Sequence, residues 1–193
     1  IGNNKHHIGC LARIQAQYVV VIDDKIKTEL EKRIKRDKTR ARKTFSGKII
    51  YTMSNLKNTK CDEFREWLKE IGATQHNRDV PFIRKIMCGV IPYQLTDLEK
   101  DRVCYLLSLC TDAYKHSFSD DIEKKHNPYI PYMIGKILEY IFLDDKIKRS
   151  LLECIHIQSE DTTQERDKKW AVVCKMVKLI QYRPTICSLY RRR

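Results

Sequence analysis

Glycine and proline are scarce in this 193-residue chain, at six and five residues. A sandwich or barrel of many short strands needs turn formers every ~8–12 residues, so that class is excluded and long helices are expected. No apolar run approaches the ~18 residues that span a bilayer; the longest candidate is the short β-branched stretch Tyr18 to Ile22. No signal peptide is visible, and no membrane partner is expected. The chain starts at Ile1 rather than Met, so it reads as a fragment, a processed product or the ordered part of something longer. The eight cysteines (Cys10, Cys61, Cys88, Cys104, Cys110, Cys154, Cys174 and Cys187) include no C-x-x-C pair, which excludes a zinc ribbon or a thioredoxin-like motif within this chain. Cys104, Cys110 and Cys174 fall on apolar helix faces, where cysteine behaves as a small hydrophobe, and reduced thiols are expected. A glycine-rich phosphate loop, a nucleophile elbow and H-E-x-x-H are all missing. No enzymatic activity is therefore expected.

What the chain has is positive charge. Its formal net charge is +13 and its pI about 9.4, which points to a polyanionic partner, nucleic acid first. The charge concentrates in "KRIKRDKTRARK", Lys32 to Lys43, where only Asp37 is acidic. Ile22, Ile26, Leu30 and Ile34 recur every fourth residue before it, so a helix capped by Asp23 or Asp24 is expected to run through about Lys43. On that helix Arg33, Arg36, Arg40 and Lys43 share one face, and Lys32, Lys35 and Lys38 widen the stripe. With Arg42, these are the candidate nucleic-acid contacts. A row of this kind can follow a phosphate backbone and release its condensed counterions. No Asn or Gln is interleaved for base contacts, so only phosphate contact is inferred. The competing reading is a solvated charged face that docks an acidic protein partner or RNA. The "YRRR" end, Tyr190 to Arg193, is a second cationic patch and reads as a frayed terminus.

Downstream the pattern is helical. Asp62 to Ile71 puts Phe64, Trp67, Leu68 and Ile71 on one face and is closed by Gly72. A short helix opens at Asp79-Val80-Pro81 and runs to about Cys88. "TDLE", Thr96 to Glu99, matches a capping box before a helix with Val103, Leu106, Leu107, Cys110, Ala113 and Tyr114 inward. His116 to Asn127 reads as a loop. "HNPYIPYMIGKILEYIF", His126 to Phe142, raises the question of an aromatic stacking platform. The spacing of Ile130, Met133, Ile134, Ile137, Leu138 and Ile141 instead makes it a buried helix, with Pro131 in its first turn and Tyr129, Tyr132 and Tyr140 at its edges. Asp144 to Ile155 reads as one helix with Ile147, Leu151, Leu152 and Ile155 inward. "TTQE", Thr162 to Glu165, reads as a second capping box before a helix facing inward with Trp170, Val173, Cys174 and Val177. Ile1 to Gln17 is weakly patterned. His6, His7 and Cys10 carry metal-ligand chemistry but have no fourth ligand nearby. His116 and His126 flank an acidic loop with Asp112, Asp120, Asp121 and Glu123 that shows no ligand spacing, and His156 reads as a boundary histidine.

"CDEFREWLKEIGA" (Cys61 to Ala73), "QLTDLEKDRV" (Gln94 to Val103), "KKHNPYIPYMIGKILEYIF" (Lys124 to Phe142) and "QERDKKWAVVCKMV" (Gln164 to Val177) together resemble the poxvirus late transcription factor family. That family is of the zinc-ribbon, late-gene trans-activator type, found in poxviruses, asfarviruses and other large cytoplasmic DNA viruses. Asp167, Trp170, Val173 and Cys174 match its closing helix. The resemblance implies a non-enzymatic activator of late viral transcription. Its partners would be DNA and the viral RNA polymerase or other transcription factors. It would act in the host cytoplasm at the viral replication factory, with packaging in the virion as a further expectation. The family's zinc ribbon is absent from these residues, so no cofactor is expected here, and zinc only with a ribbon upstream of Ile1.

The expected fold is mainly α: a multi-helix bundle with a long basic N-terminal helix and room for a short strand pair, Tyr18–Ile22 with Ile49–Met53. Residues 1–60 form an N-terminal extension with the basic helix, and residues 61–193 form the helical core domain.

Overall fold

The computed structural model describes residues 2–119 and 128–190. His126, the acidic residues Asp120, Asp121 and Glu123, and Arg191 to Arg193 lie outside the described residues. The architecture is mainly α. Helix α1 spans Gly2–Ile14 and α2 spans Asp24–Lys38; strands β1 (Thr39–Lys43) and β2 (Ile49–Met53) follow. Then come α3 (Cys61–Glu70), α4 (Val80–Cys88), α5 (Asp97–Ser117), α6 (Ile130–Ile141), α7 (Lys146–Arg149), α8 (Glu160–Val177) and α9 (Cys187–Tyr190).

The α6 segment is the centre of the molecule. Ile130, Met133, Ile134, Ile137 and Leu138 are buried, as the spacing predicts. The helix is covered almost all round, by α1, α5 and the 3₁₀ turn Ser150–Cys154. Such a position admits polar side chains only in satisfied pairs. Tyr132 donates to Asp167 at 2.5 Å, and Lys136 reaches Glu139 at 2.7 Å. The chain after α8 returns to close this network. Thr185 donates to Asp167 from its backbone N–H at 2.8 Å, and Tyr190 donates to Glu139 at 2.5 Å. Burial first, and then the neighbouring carboxylates, push the Tyr132 and Tyr190 hydroxyls well above their ordinary pKa, so both act as donors.

Long α5 begins at the expected capping box: the Thr96 N–H meets Glu99 at 2.9 Å, and the Glu99 N–H meets the Thr96 hydroxyl at 3.3 Å. It buries Val103, Leu106, Leu107, Cys110 and Tyr114 and packs on α6 and α8. Helix α4 carries its proline in the first turn and ends on Gly89 at φ +66°, a left-handed position that glycine takes without strain. All eight cysteines are free. Burial pushes Cys110 up to about 12 and Cys174 up to about 11, keeping both as thiols.

Several expectations fail for identifiable reasons. The N-terminal stretch is helical: His7, Leu11 and Ile14, spaced by four and three, are buried at 3–5% exposure, and the histidine in the row hid the pattern. Tyr18–Ile22 is not a strand; β2 pairs instead with β1. Residues 144–155 split into α7 and the 3₁₀ turn. The 3₁₀ turn buries Leu151 and Leu152, and Ile155 follows them into the core, while Ile147 on the short α7 stays 73% exposed. "TTQE" is not a cap, because α8 starts a turn earlier at Ser159, whose hydroxyl takes the Thr162 N–H. Glu160 and Asp161 then occupy the positive first turn. Leu11, Ile14, Ile22, Leu30 and Ile34 belong to the same contiguous core as the buried residues of α3 to α6 and α8.

Candidate nucleic-acid interface

The basic run does not continue as a helix. Asp23 caps α2, accepting the Lys25 N–H at 2.7 Å, and Ile34 is its last buried apolar residue. Beyond Ile34 no apolar side chain of α2 enters the core. The β-branched stretch Ile49–Met53 needs a partner and takes Thr39–Lys43, in the register Thr39↔Met53 to Lys43↔Ile49. Gly47 at φ +81° closes the loop, with its N–H on the Thr44 carbonyl at 2.9 Å. The one-faced row of Arg33, Arg36, Arg40 and Lys43 therefore does not exist.

The helical half of the run is paired with acids. Lys32 meets Glu29 at 2.7 Å, and Arg33 meets Glu70 at 2.9 Å and Glu29 at 3.3 Å. Arg36 binds Asp37 and Glu70, and Lys38 binds Glu63. Asp37 also accepts the Trp67 indole N–H at 2.7 Å. The Arg36 guanidinium first, helped by that indole, holds the Asp37 carboxyl down to about 2. These contacts seat α2 on α3 and use up most of the helix's charge.

The strand half is different. Arg40, Arg42 and Lys43 are exposed and, like Lys35 on α2, have no carboxylate within ion-pairing distance among the described residues. Side chains alternate across a strand. Arg40 and Arg42 therefore share one face of the hairpin with Thr52 and Ile50. Ala41, Tyr51, Ile49 and Met53 share the other, joined by Lys43 near the tip. Phe45 at the tip is fully exposed, and Tyr51 is 73% exposed. Lys48, beside the turn, adds a cation that the sequence reading missed; its signal was its place opposite the basic run once the hairpin is recognised. Arg40, at the base, borders a cavity of about 620 Å³ whose other wall carries Asp62, Glu63 and Glu66, so the outer cations Arg42, Lys43 and Lys48 are the least offset.

The other candidates do not assemble. His6 and Cys10 meet at 3.9 Å while His7 turns into the core. Among the described residues no three His, Cys, Asp or Glu side chains stand close enough to share a metal ion. The residues here do not fit a zinc site. Tyr132 is buried, whereas Tyr129 is half-buried, with the Arg166 guanidinium 4.1 Å from its ring centroid. Among the described residues no helix is long and apolar enough to cross a membrane.

Fold and charge layout together define a class: an α-helical protein presenting an exposed cationic β-hairpin. The chain belongs to the Poxvirus Late Transcription Factor VLTF3 like family, whose model matches residues 1–180. It is also similar to Zinc finger protein B385R of African swine fever virus, from the isolates Pig/Kenya/KEN-50/1950 and Warthog/Namibia/Wart80/1980. It is 32% identical to each over 128 residues, 64% of this chain and 32% of theirs. The chain thus spans about a third of the length of the curated relatives it matches. No solved structure matches it.

Proposed function

We propose that this chain is part of a non-enzymatic late viral transcription factor that grips DNA by its phosphate backbone and works with the viral RNA polymerase in the cytoplasmic replication factory. The supporting observation is the projecting hairpin, whose Arg40, Arg42 and Lys43 have no acidic partner among the described residues while their helical neighbours do. A two-stranded ribbon fits the major groove of duplex DNA, and unpaired cations are the ones that can exchange counterions with phosphates. The apolar face bearing Tyr51, Ile49 and Met53 suits a protein surface, which gives the same arm a side for the polymerase. The African swine fever virus relatives carry the name zinc finger protein, and a zinc site of that kind would need ligands beyond those that the described residues bring together.

Filter binding to duplex DNA across a salt series tests the reading. Each lost phosphate contact lowers the log–log salt slope by ~0.9. Arg40→Ala/Arg42→Ala/Lys43→Ala is therefore expected to reduce it by ~2.7, whereas Arg33→Ala/Arg36→Ala changes it little. An unchanged slope in the strand triple mutant would remove the hairpin from the interface.

A further inference from the structure

A second cationic surface lies away from the hairpin. A cleft of about 590 Å³ opens between α1, the turn before α4 and the start of α6. Its volume falls within the ~300–1,000 Å³ typical of small-ligand sites. Lys5, Arg13 and Arg78 line it with two aromatic rings, Tyr18 and Tyr129. Asp79 is the acid among them, and it is already engaged by Arg13 and by His76 at 3.4 Å. Among the described residues Lys5 and Arg78 have no carboxylate partner, so the cleft keeps positive charge to offer.

The aromatic walls are held in place. Arg13 stacks 3.9 Å from the Tyr18 ring centroid. Tyr129 donates its hydroxyl to the His156 carbonyl at 3.1 Å, and Arg166 covers it from outside the cleft. Tyr129 lines the cleft, and Arg78 reaches its hydroxyl.

We infer that this cleft binds a nucleotide unit, its base stacked against the Tyr129 wall and its phosphate held by Lys5 and Arg78. Fixed rings accept any base through its π-face, and the paired arginine–aromatic contacts keep those rings oriented before a ligand arrives. The inference deepens the nucleic-acid reading and rests on it for the source of the nucleotide: one unit of a single strand, in contrast to the duplex at the hairpin. A free mononucleotide carries the same chemistry.

The test is fluorescence anisotropy with the whole chain, using a short labelled deoxyadenylate single strand, a labelled duplex, and adenosine monophosphate as competitor. Arg78→Glu, at an exposed position, is expected to weaken single-strand binding by ~10-fold or more while sparing the duplex. Tyr129→Leu is expected to weaken it by roughly 5- to 100-fold, and Tyr129→Phe to restore most of the loss. The hairpin triple mutant is expected to do the reverse, losing duplex and keeping single strand. Competition by adenosine monophosphate supports a free nucleotide as the source; binding of the strand without such competition supports a unit within a chain. Single-strand affinity unchanged in both Arg78→Glu and Tyr129→Leu overturns the cleft and leaves the hairpin reading standing. Arg78-dependent single-strand binding with no duplex binding overturns the hairpin reading and leaves the cleft.

Discussion

Gly135 on α6 sets up a sharp stability test. A Cβ placed there would lie 2.7 Å from the Tyr190 hydroxyl oxygen and 2.8 Å from the ring Cε1. The tyrosine has no room to retreat, because it is 1% exposed and its hydroxyl is fixed on Glu139 at 2.5 Å. Gly135→Ala should therefore expel Tyr190 rather than nudge it. Losing its buried ring costs roughly 1.5–3 kcal/mol, and losing a hydrogen bond to a charged acceptor roughly 1.5–3 more. Alanine returns about 1 kcal/mol of helix propensity. The expected net loss is about 2–5 kcal/mol, measured by urea unfolding and accompanied by faster proteolysis of the segment after α8. The decisive measurement is the double-mutant cycle. In a Tyr190→Ala background the clash is gone, so Gly135→Ala should become neutral or stabilising by about 1 kcal/mol. If Gly135→Ala alone proves as stable as the parent, the C-terminal strap does not close on α6 and the reasoning fails.

Thr96→Ala removes one half of the α5 capping box and should cost about 1 kcal/mol in urea unfolding; no change would show that Glu99, which also holds Lys148 at 2.7 Å, carries the cap alone. Asp37 has a folded pKa depressed from 3.8 to about 2. Its contribution to stability is therefore fully present above about 3.8 and is lost as the pH falls toward 2. Protonation removes the charge that the Trp67 indole N–H donates to and weakens that bond, so in a Trp170→Phe background the remaining tryptophan fluorescence should titrate in that window. Asp37→Asn should abolish the titration, and its persistence would assign it to another group.

The apolar faces were legible because they are local. Val103, Leu106, Leu107 and Cys110 on α5, and Trp170, Val173 and Cys174 on α8, announce their helices by spacing alone, and the structure buries them. The candidate site was legible only in part. The excess of cations between Lys32 and Lys43 is plain in the sequence, but which of them stay unpaired is not. Glu70 lies 37 positions from Arg33, and Glu63 lies 25 from Lys38, so no local pattern reveals that they neutralise the helix. The cleft was invisible for the same reason: Tyr18, Arg78 and Tyr129 come from three distant segments.

By itself, then, the sequence determined the mainly helical class, the capping of α5, the buried α6 with its proline-fixed start and the strong positive charge, since each follows from periodicity, propensity or composition. Tertiary structure decided where the basic run changes from helix to strand, that the N-terminal segment is a core helix, and which cations remain for a partner. Those outcomes depend on strand pairing with Ile49–Met53, on burial against α5 and α6, and on carboxylates brought in from elsewhere in the fold, all interactions between residues far apart in the chain.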